Sequence, residues 1–473
     1  MLAPTTLLKQ RALLESHTHP LSWQASSYDP LMSAISFNAQ VVCIGDSSHG
    51  TYEFYAHRAN LTKRLIEEKG STAIAIEADW PDAFRINRYV HGAPHISSAR
   101  AALSDFELFP VWMWKNEVMP PFVEYLRAHN PRVDDPAQRV SFYGMDLYSP
   151  HRSADEVIRY LERVDPEGIN EALDKYNCFE RFGEDTTRYA YETQFRLARD
   201  CHKEVIANLK ALLANHRRYI EELGAGAHAH PAEEQFVVEM NALVVRDAEE
   251  YYRTMLTNDT KSWNLRDDHF ARTLVKTAEH LGAGGAQAKI VVWAHSSHIG
   301  DARATDMGRR RGEVNVGQRC REIFGEHNVF NIGFLTNRGT VIASYDWDDP
   351  PYLQTMNAPI RSSIGSVFNE WGKGDCFVIT HRVEDTPEGR RRKREVAPEL
   401  SDLLDRPWHQ RFIGVIYRRD TEVPSHYSRC SVAAQYDAHI RESRGIRPLE
   451  PESTDTWKGL TGGEADLTFP FGE

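Results

Sequence analysis

No stretch of the 473-residue chain stays apolar long enough to cross a bilayer, which takes about 20 consecutive apolar residues. The opening MLAPTTLLKQRALLESHTHP lacks the charged start, long apolar centre and small-residue cleavage site of a secretory signal. A cytoplasmic protein with no membrane partner is therefore expected. Positive charge is in deficit: the formal net charge is −12. Phosphate binding needs a basic surface, so nucleic acid is not expected as a partner. The only basic clusters, Arg309–Arg311 and Arg390–Arg394, read as solvated loops. The six cysteines, Cys43, Cys178, Cys201, Cys320, Cys376 and Cys430, are scattered, and no two form a CxxC pair. That excludes a zinc ribbon or a thioredoxin-like motif, and reduced, mostly buried thiols are expected. The nucleophile elbow GxSxG is missing too, so a serine mechanism of the α/β-hydrolase kind lacks its signature. There is no internal repeat.

What is present is an alternation of strand and helix. Gln40–Ile44 is a short apolar run, followed by helical periodicity from about Tyr52 to Lys69. Thr72–Ile76 is the next strand, then a helix through Ala83–Val90 that Pro81 can open. Pro110 to His129 is aromatic and helix-like, and Arg139–Gly144 is a third strand. Strands return at Lys289–Ala294 and Asn328–Phe334. Thr340–Ser344 reads as a hairpin partner of the latter across the turn Asn337-Arg-Gly339, and further strands are expected at Asp375–Thr380 and Phe412–Tyr417. Between them, segments such as Phe195–Leu223 and Glu233–Leu256 carry apolar residues at helical spacing. The expected fold is α/β, a mostly parallel sheet with flanking helices and a large helical insert. Residues 1–150 form the first part of the core, 151–285 the insert, 286–450 the second part, and 451–473 a Pro-, Gly- and Glu-rich tail.

Four apolar strands end abruptly in an ionisable residue. VVCIGD ends at Asp46 with His49 three residues on, TAIAIE at Glu77, SFYGMD at Asp146, and KIVVWAH at His295 with His298 beyond. In open parallel sheets, functional groups gather beyond the carboxyl ends of the strands. A single acidic residue there is usually a helix cap, but four such ends on neighbouring strands converge. Within Gly45-Asp-Ser-Ser-His-Gly-Thr51, small residues let the chain turn sharply and leave His49 in the open loop. Thr51 can cap the next helix, whose N-terminal field would help keep His49 neutral and basic. Arg58, two turns along, either steadies negative charge on a tetrahedral intermediate or forms an ion pair with Asp46 or Glu77. His49, Glu77, His295 and His298 are chemically acceptable as a zinc set. A metal-free cluster that deprotonates a water fits the same residues, and no cofactor is required. Gly45-Asp-Ser47 resembles the first block of GDS-type lipases, which would make Ser47 a nucleophile. The Asp-x-x-His block those enzymes also need is absent, and Asp437-Ala-His439 has the wrong spacing. Ser47 therefore reads as a turn residue.

Taken in order, these motifs resemble the erythromycin esterase family. Gly45-Asp46-Ser47-Ser48-His49-Gly50-Thr51 with Glu53-Phe54 and Arg58 is similar to the family's first motif, and Glu77-Ala-Asp79 to its second. Gly144-Met-Asp146, Trp263-Asn-Leu-Arg266-Asp267, Trp293-Ala-His-Ser-Ser-His298, Val316-Gly-Gln318 and Ile332-Gly-Phe334 follow in family order. So do Ile413–Tyr417, Ser425-His-Tyr427 and Gln435-Tyr-Asp437, and the resemblance runs from about Ala34 to Leu449. It implies an α/β core with a helical insert, and a general-base histidine, here His49, acting on a water that attacks a macrolide lactone, an antibiotic-resistance chemistry. Glu77, His295, Asp46 and Arg58 complete the implied catalytic set, with His298, Asp146 and Trp293 as candidate substrate contacts. The expected partner is thus a small-molecule ester or lactone. Two departures stand out. Asp46 replaces the family's Glu, setting the carboxylate one methylene back, and the late block reads Arg441-Glu-Ser-Arg-Gly445 where the family has Asp-Glu-Thr-Arg-Ala. The resemblance does not fix the substrate. A metal-dependent hydrolase and a non-catalytic binding protein using the same cleft are the alternatives.

Overall fold

The computed structural model describes residues 12–441, other than 180–185, 196–197, 226–230, 286, 372–373 and 387–388. Short β-branched and aliphatic runs build one eight-stranded sheet. Its strands are β1 (Thr18–Pro20), β2 (Val41–Ile44), β3 (Ala73–Asp79), β4 (Ser141–Asp146), β5 (Ile290–Trp293), β6 (Val329–Leu335), β7 (Cys376–Ile379) and β8 (Ala438–Arg441). Their order in space is β1-β7-β8-β6-β2-β5-β3-β4. The six strands from β8 to β4 are parallel, and β7 runs antiparallel to both β8 and β1. The central strands VVCI and IVVW are apolar at every position because both of their faces are covered.

One face, with Ile44, Ile74, Ile76, Phe142 and Trp293, packs under the helix Tyr52–Lys69 (α1), the helix Trp80–Val90 (α2) and the helix Met119–His129. The opposite face, with Cys43, Ala75, Tyr143 and Val292, shares a single apolar cluster with the helical stretch that follows β4. That stretch includes α3 (Pro150–Val164), α4 (His202–Ala225), α5 (Pro231–Met255) and α6 (Asp259–Leu281). Every described helix or strand between Pro150 and Leu281 is helical. The last of them, α6, returns against β4 and so brings its residues to the sheet's carboxyl edge. Among the described residues no helix is long and apolar enough to cross a membrane.

Several local expectations are corrected. Thr340–Ala343 does not fold back on β6; it pairs antiparallel with Tyr352–Thr355. The reason is that it crosses over the loop after β2, where the Ile342 amide donates to the Gly50 carbonyl at 3.1 Å. Phe412–Tyr417 is no strand: it makes isolated bridges through Ile413 to Ser48 and through Ile416 to Ser344. The strand beside it is Trp408–Arg411, paired with Tyr427–Cys430. The arginine run at 390–394 is not a loop but a hairpin strand opposite His381–Thr386, with Arg392 paired to Asp437. Cys178 and Cys201 are joined by a disulfide within the helical stretch, whereas Cys43, Cys320, Cys376 and Cys430 are free and buried. The tail after Ile446 lies outside the described residues.

Candidate active site

The loop between β2 and α1 is shaped by close approach. A Cβ on Gly50 would lie 1.7 Å from the Ile342 carbonyl oxygen, and one on Gly45 would lie 2.5 Å from Ser296 Oγ. The His49 amide is fixed by the Ile413 carbonyl at 3.2 Å. Thr51 takes the N-cap position of α1 in extended conformation, but its side chain makes no cap. It turns instead to the Ser48 hydroxyl in a short hydrogen bond, which leaves the helix end to other groups. Ser47 donates its hydroxyl to the Arg411 carbonyl at 2.9 Å and is fully buried. That bond points the oxygen away from the cleft, so Ser47→Ala is expected to keep most of the turnover. Covalent capture of Ser47 by a fluorophosphonate, with matching loss of activity, would overturn this.

The four strand ends meet. His49 stands between two carboxylates, with Nδ1 3.4 Å from Asp46 Oδ2 and Nε2 4.0 Å from Glu77 Oε1. His295 lies beside it, ring centroids 4.8 Å apart, with Nε2 3.8 Å from Asp46 Oδ1 and Nδ1 2.8 Å from Ser297 Oγ. An imidazole nitrogen facing a carboxylate carries the proton at least cost, so His295 is best placed as the Nε2–H tautomer, with Nδ1 accepting from Ser297. Its amide also donates to Glu77 Oε2 at 2.8 Å. Burial, reinforced by neighbouring His49, pushes the His295 pKa down to about 3, and the pull of Asp46 and Glu77 does not reverse this. His295 is therefore neutral throughout the physiological range. Burial would raise Asp46, but Arg58, His49 and His295 together hold it below the usual carboxylate range.

Arg58 settles between its two sequence readings by geometry. It is buried behind Asp46, Nη2 2.7 Å from Oδ2, with its guanidinium over the rings of Tyr55 and Trp293. Trp293, expected among the substrate contacts, lies behind the site instead. It is fully buried, donates its indole N–H to Thr62 at 2.9 Å, and stacks on Phe122. Its position on β5 points the ring into the sheet face that covers α1. His298 is likewise fully buried. It stacks on Trp263 at 4.5 Å, bonds Asp267 through Nδ1 at 2.9 Å, and sets Nε2 3.5 Å from Glu77 Oε1. Burial opposes its charge, but Asp267 and Glu77 outweigh it and raise the pKa.

The group that sequence reasoning left out of the site is Arg266, on α6. Its Nη2 reaches Glu77 Oε1 at 2.8 Å and Asp146 Oδ2 at 2.6 Å, its Nε donates to Asp146 Oδ1 at 3.0 Å, and Nη1 meets His298 Nε2 at 3.2 Å. Against the burial that would raise it, His298, Arg266 and His49 hold the Glu77 pKa at about 2. A cleft opens over this centre. His49, Glu77, Asp79, Asp146, Tyr148 and Arg266 line its polar part. Phe106, Phe109, Trp114 and Trp347 line its apolar part. Among the described residues no group of three or more His, Cys, Asp or Glu side chains is placed to hold a metal ion. The set His49, Glu77, His295 and His298 does not fit one, because the Arg266 guanidinium already lies against Glu77 and His298.

Residues 66–442 match the family described as erythromycin esterase. Over 385 residues the chain is 22% identical to erythromycin esterase type II of Escherichia coli, covering 76% of this chain and 84% of that protein. Among solved structures it resembles a succinoglycan biosynthesis protein, with TM-score 0.69 and 18% identity over 95% of this chain and 100% of that one. It also resembles an erythromycin esterase mutant in its open conformation, with TM-score 0.57 and 14% identity over 90% and 96% of the two chains. At such identities the structural likeness carries the fold alone.

Proposed function

The chain belongs to the erythromycin esterase family, a family of hydrolases, and from that premise we propose that it cleaves a carboxylic ester or lactone by general-base activation of water on His49. The observation that carries this reading is the placement of His49 between two anions of different use. Asp46, clamped by Arg58, faces Nδ1 and fixes the proton there, leaving the Nε2 lone pair toward the cleft. Nε2 and Glu77 Oε1 are both acceptors, 4.0 Å apart. A water between them donates one proton to each, which aims an oxygen lone pair into the cavity. Attack on the carbonyl carbon moves the proton that water shares with His49 onto Nε2. The imidazolium so formed is stabilised by Asp46, which stays ionised. Arg266 lines the cleft and grips Glu77 at 2.8 Å, which fixes the carboxylate that orients the water. The apolar wall of Phe106, Phe109, Trp114 and Trp347 suits an ester with a substantial hydrocarbon face.

The test is incubation of the purified protein with erythromycin, smaller lactones and simple esters, read by a mass gain of one water. Turnover of at least one of them is the expected result. Tight binding with no turnover across the whole panel would replace this reading by that of a binding protein.

A further inference from the structure

Two residues beyond Glu77, at the end of β3, Asp79 opens into the same cleft as His49, Glu77 and Arg266. The register of β3 shifts by a bulge between Ile76 and Asp79, and the bulged strand end sets both Glu77 and Asp79 on the cleft lining. The two are in opposite surroundings. Glu77 has Arg266 and the His295 amide at 2.8 Å. Asp79 has no ion-pair partner among the described residues, and its Oδ1 is buried without a hydrogen bond. The charged groups around it are mostly negative or already engaged. Asp146 is its register partner on β4, and the guanidinium of Arg266 is spent on Asp146 and Glu77. Asp82 lies one turn into α2, and Arg152 of α3 divides itself between Asp82, at 2.6 Å, and Asp105, at 3.1 Å. Burial first, and then Asp146, raise the Asp79 pKa well above the usual carboxylate range, against weaker opposition from Ser149, Arg152 and the Tyr148 amide. Asp82 is raised as well, by burial and by Asp79 itself. The cleft thus holds one carboxyl drawn toward its charged form and one pushed toward its protonated form, the division of labour that acid–base hydrolysis needs.

We propose that Asp79 is the general acid of the reaction, giving its carboxyl proton to the leaving oxygen as the tetrahedral intermediate collapses. The inference rests on the esterase reading above. In this step the carbon–oxygen bond to the leaving group breaks, its electron pair goes to that oxygen, and the Asp79 proton completes the alcohol. The carboxylic acid product departs, the proton held by His49 is released to solvent, and Asp79 takes one up again.

The proposal is tested with Asp79→Asn and two esters of one acid, an alkyl ester and a p-nitrophenyl ester. An alkoxide needs protonation to leave, whereas a nitrophenolate leaves as the anion. The expected result is a fall in kcat of about 10²-fold or more on the alkyl ester, with the nitrophenyl ester within a few-fold of wild type. In wild type the alkyl-ester profile declines on the alkaline side as Asp79 loses its proton, and the nitrophenyl profile lacks that decline. Equal losses on both esters, or full alkyl-ester turnover by Asp79→Asn, overturn the assignment. Should the variant fail to fold, the wild-type profiles decide alone: the same alkaline limb for both esters overturns it. Wild type that hydrolyses neither these esters nor any lactone of the panel defeats the esterase reading itself, a distinguishable outcome.

Discussion

Replacing His49 by alanine is expected to lower kcat by about 10²–10⁴-fold on whichever ester or lactone is turned over, with thermal unfolding little changed. The large kinetic effect follows from position: among the described residues that line the cleft, His49 is the one histidine. His295 turns its Nδ1 to Ser297 and its Nε2 to Asp46, and His298 is closed off between Asp267 and Arg266. The small thermal effect follows from what remains. Asp46 keeps Arg58 at 2.7 Å and Glu77 keeps Arg266 at 2.8 Å, so neither carboxylate is abandoned in the interior. Steady-state kinetics beside a melting curve make the measurement. A folded His49→Ala protein with near-normal kcat would refute the general-base role.

The second large effect is on stability. Arg266→Met removes the guanidinium that two buried carboxylates share and puts a side chain of similar reach in its place. Glu77 and Asp146 are each no more than 5% exposed at the side chain. Leaving buried charge uncompensated costs about 3–5 kcal/mol, so a comparable loss is expected in urea unfolding at pH 7. The pH dependence has a definite sign. In the wild type Glu77 is held at about 2, below its ordinary 4.5. The stability it contributes is full above pH 4.5 and is lost as pH falls toward 2. Without Arg266 the Glu77 pKa rises, so the variant's deficit narrows on acidification, where the wild type begins to lose the same contribution. Arg266→Lys restores one charge but not the fork that grips Asp146 through Nε and Nη2, and recovers only part of the loss. A Met variant as stable as wild type would show that the cluster is solvated rather than held.

How far the sequence carried the argument depends on the reach of each signal. Asp46, Glu77, Asp146 and His295 each close an apolar run, and the alternation of strand and helix made those runs parallel neighbours, so their meeting at one edge followed from short-range pattern. Arg266 offered no such signal. Within α6 it is one charge among many, and what marks it out is pairing with residues 120 and 189 positions away. Only its place in a block resembling the family's singled it out. Arg58 had two readings because both leave the same periodicity; the ion pair with Asp46 is a tertiary fact. Trp293 belonged to the right motif but faces the other way, since successive strand residues point to opposite faces. β8 escaped notice because four residues, Ala-His-Ile-Arg, are too few to display a period. The Cys178–Cys201 bond could not be read from scattered cysteines, whose pairing sequence does not determine.

The placement of β5 has a consequence for how the protein is made. It lies between β2 and β3, yet those two strands and the entire helical stretch leave the ribosome before β5 exists. Until Ile290–Trp293 emerges, β2 and β3 have no neighbour to join them, and each presents an unpaired hydrophobic edge. The nascent chain must therefore hold β2 apart from the β3–β4 pair until β5 enters between them, a slow non-local closure during which strand edges invite association with other chains. His295 follows directly on this strand, so β5 brings it to the centre as it joins β2 to β3. A polypeptide terminated anywhere before Ile290 lacks both the joining strand and His295.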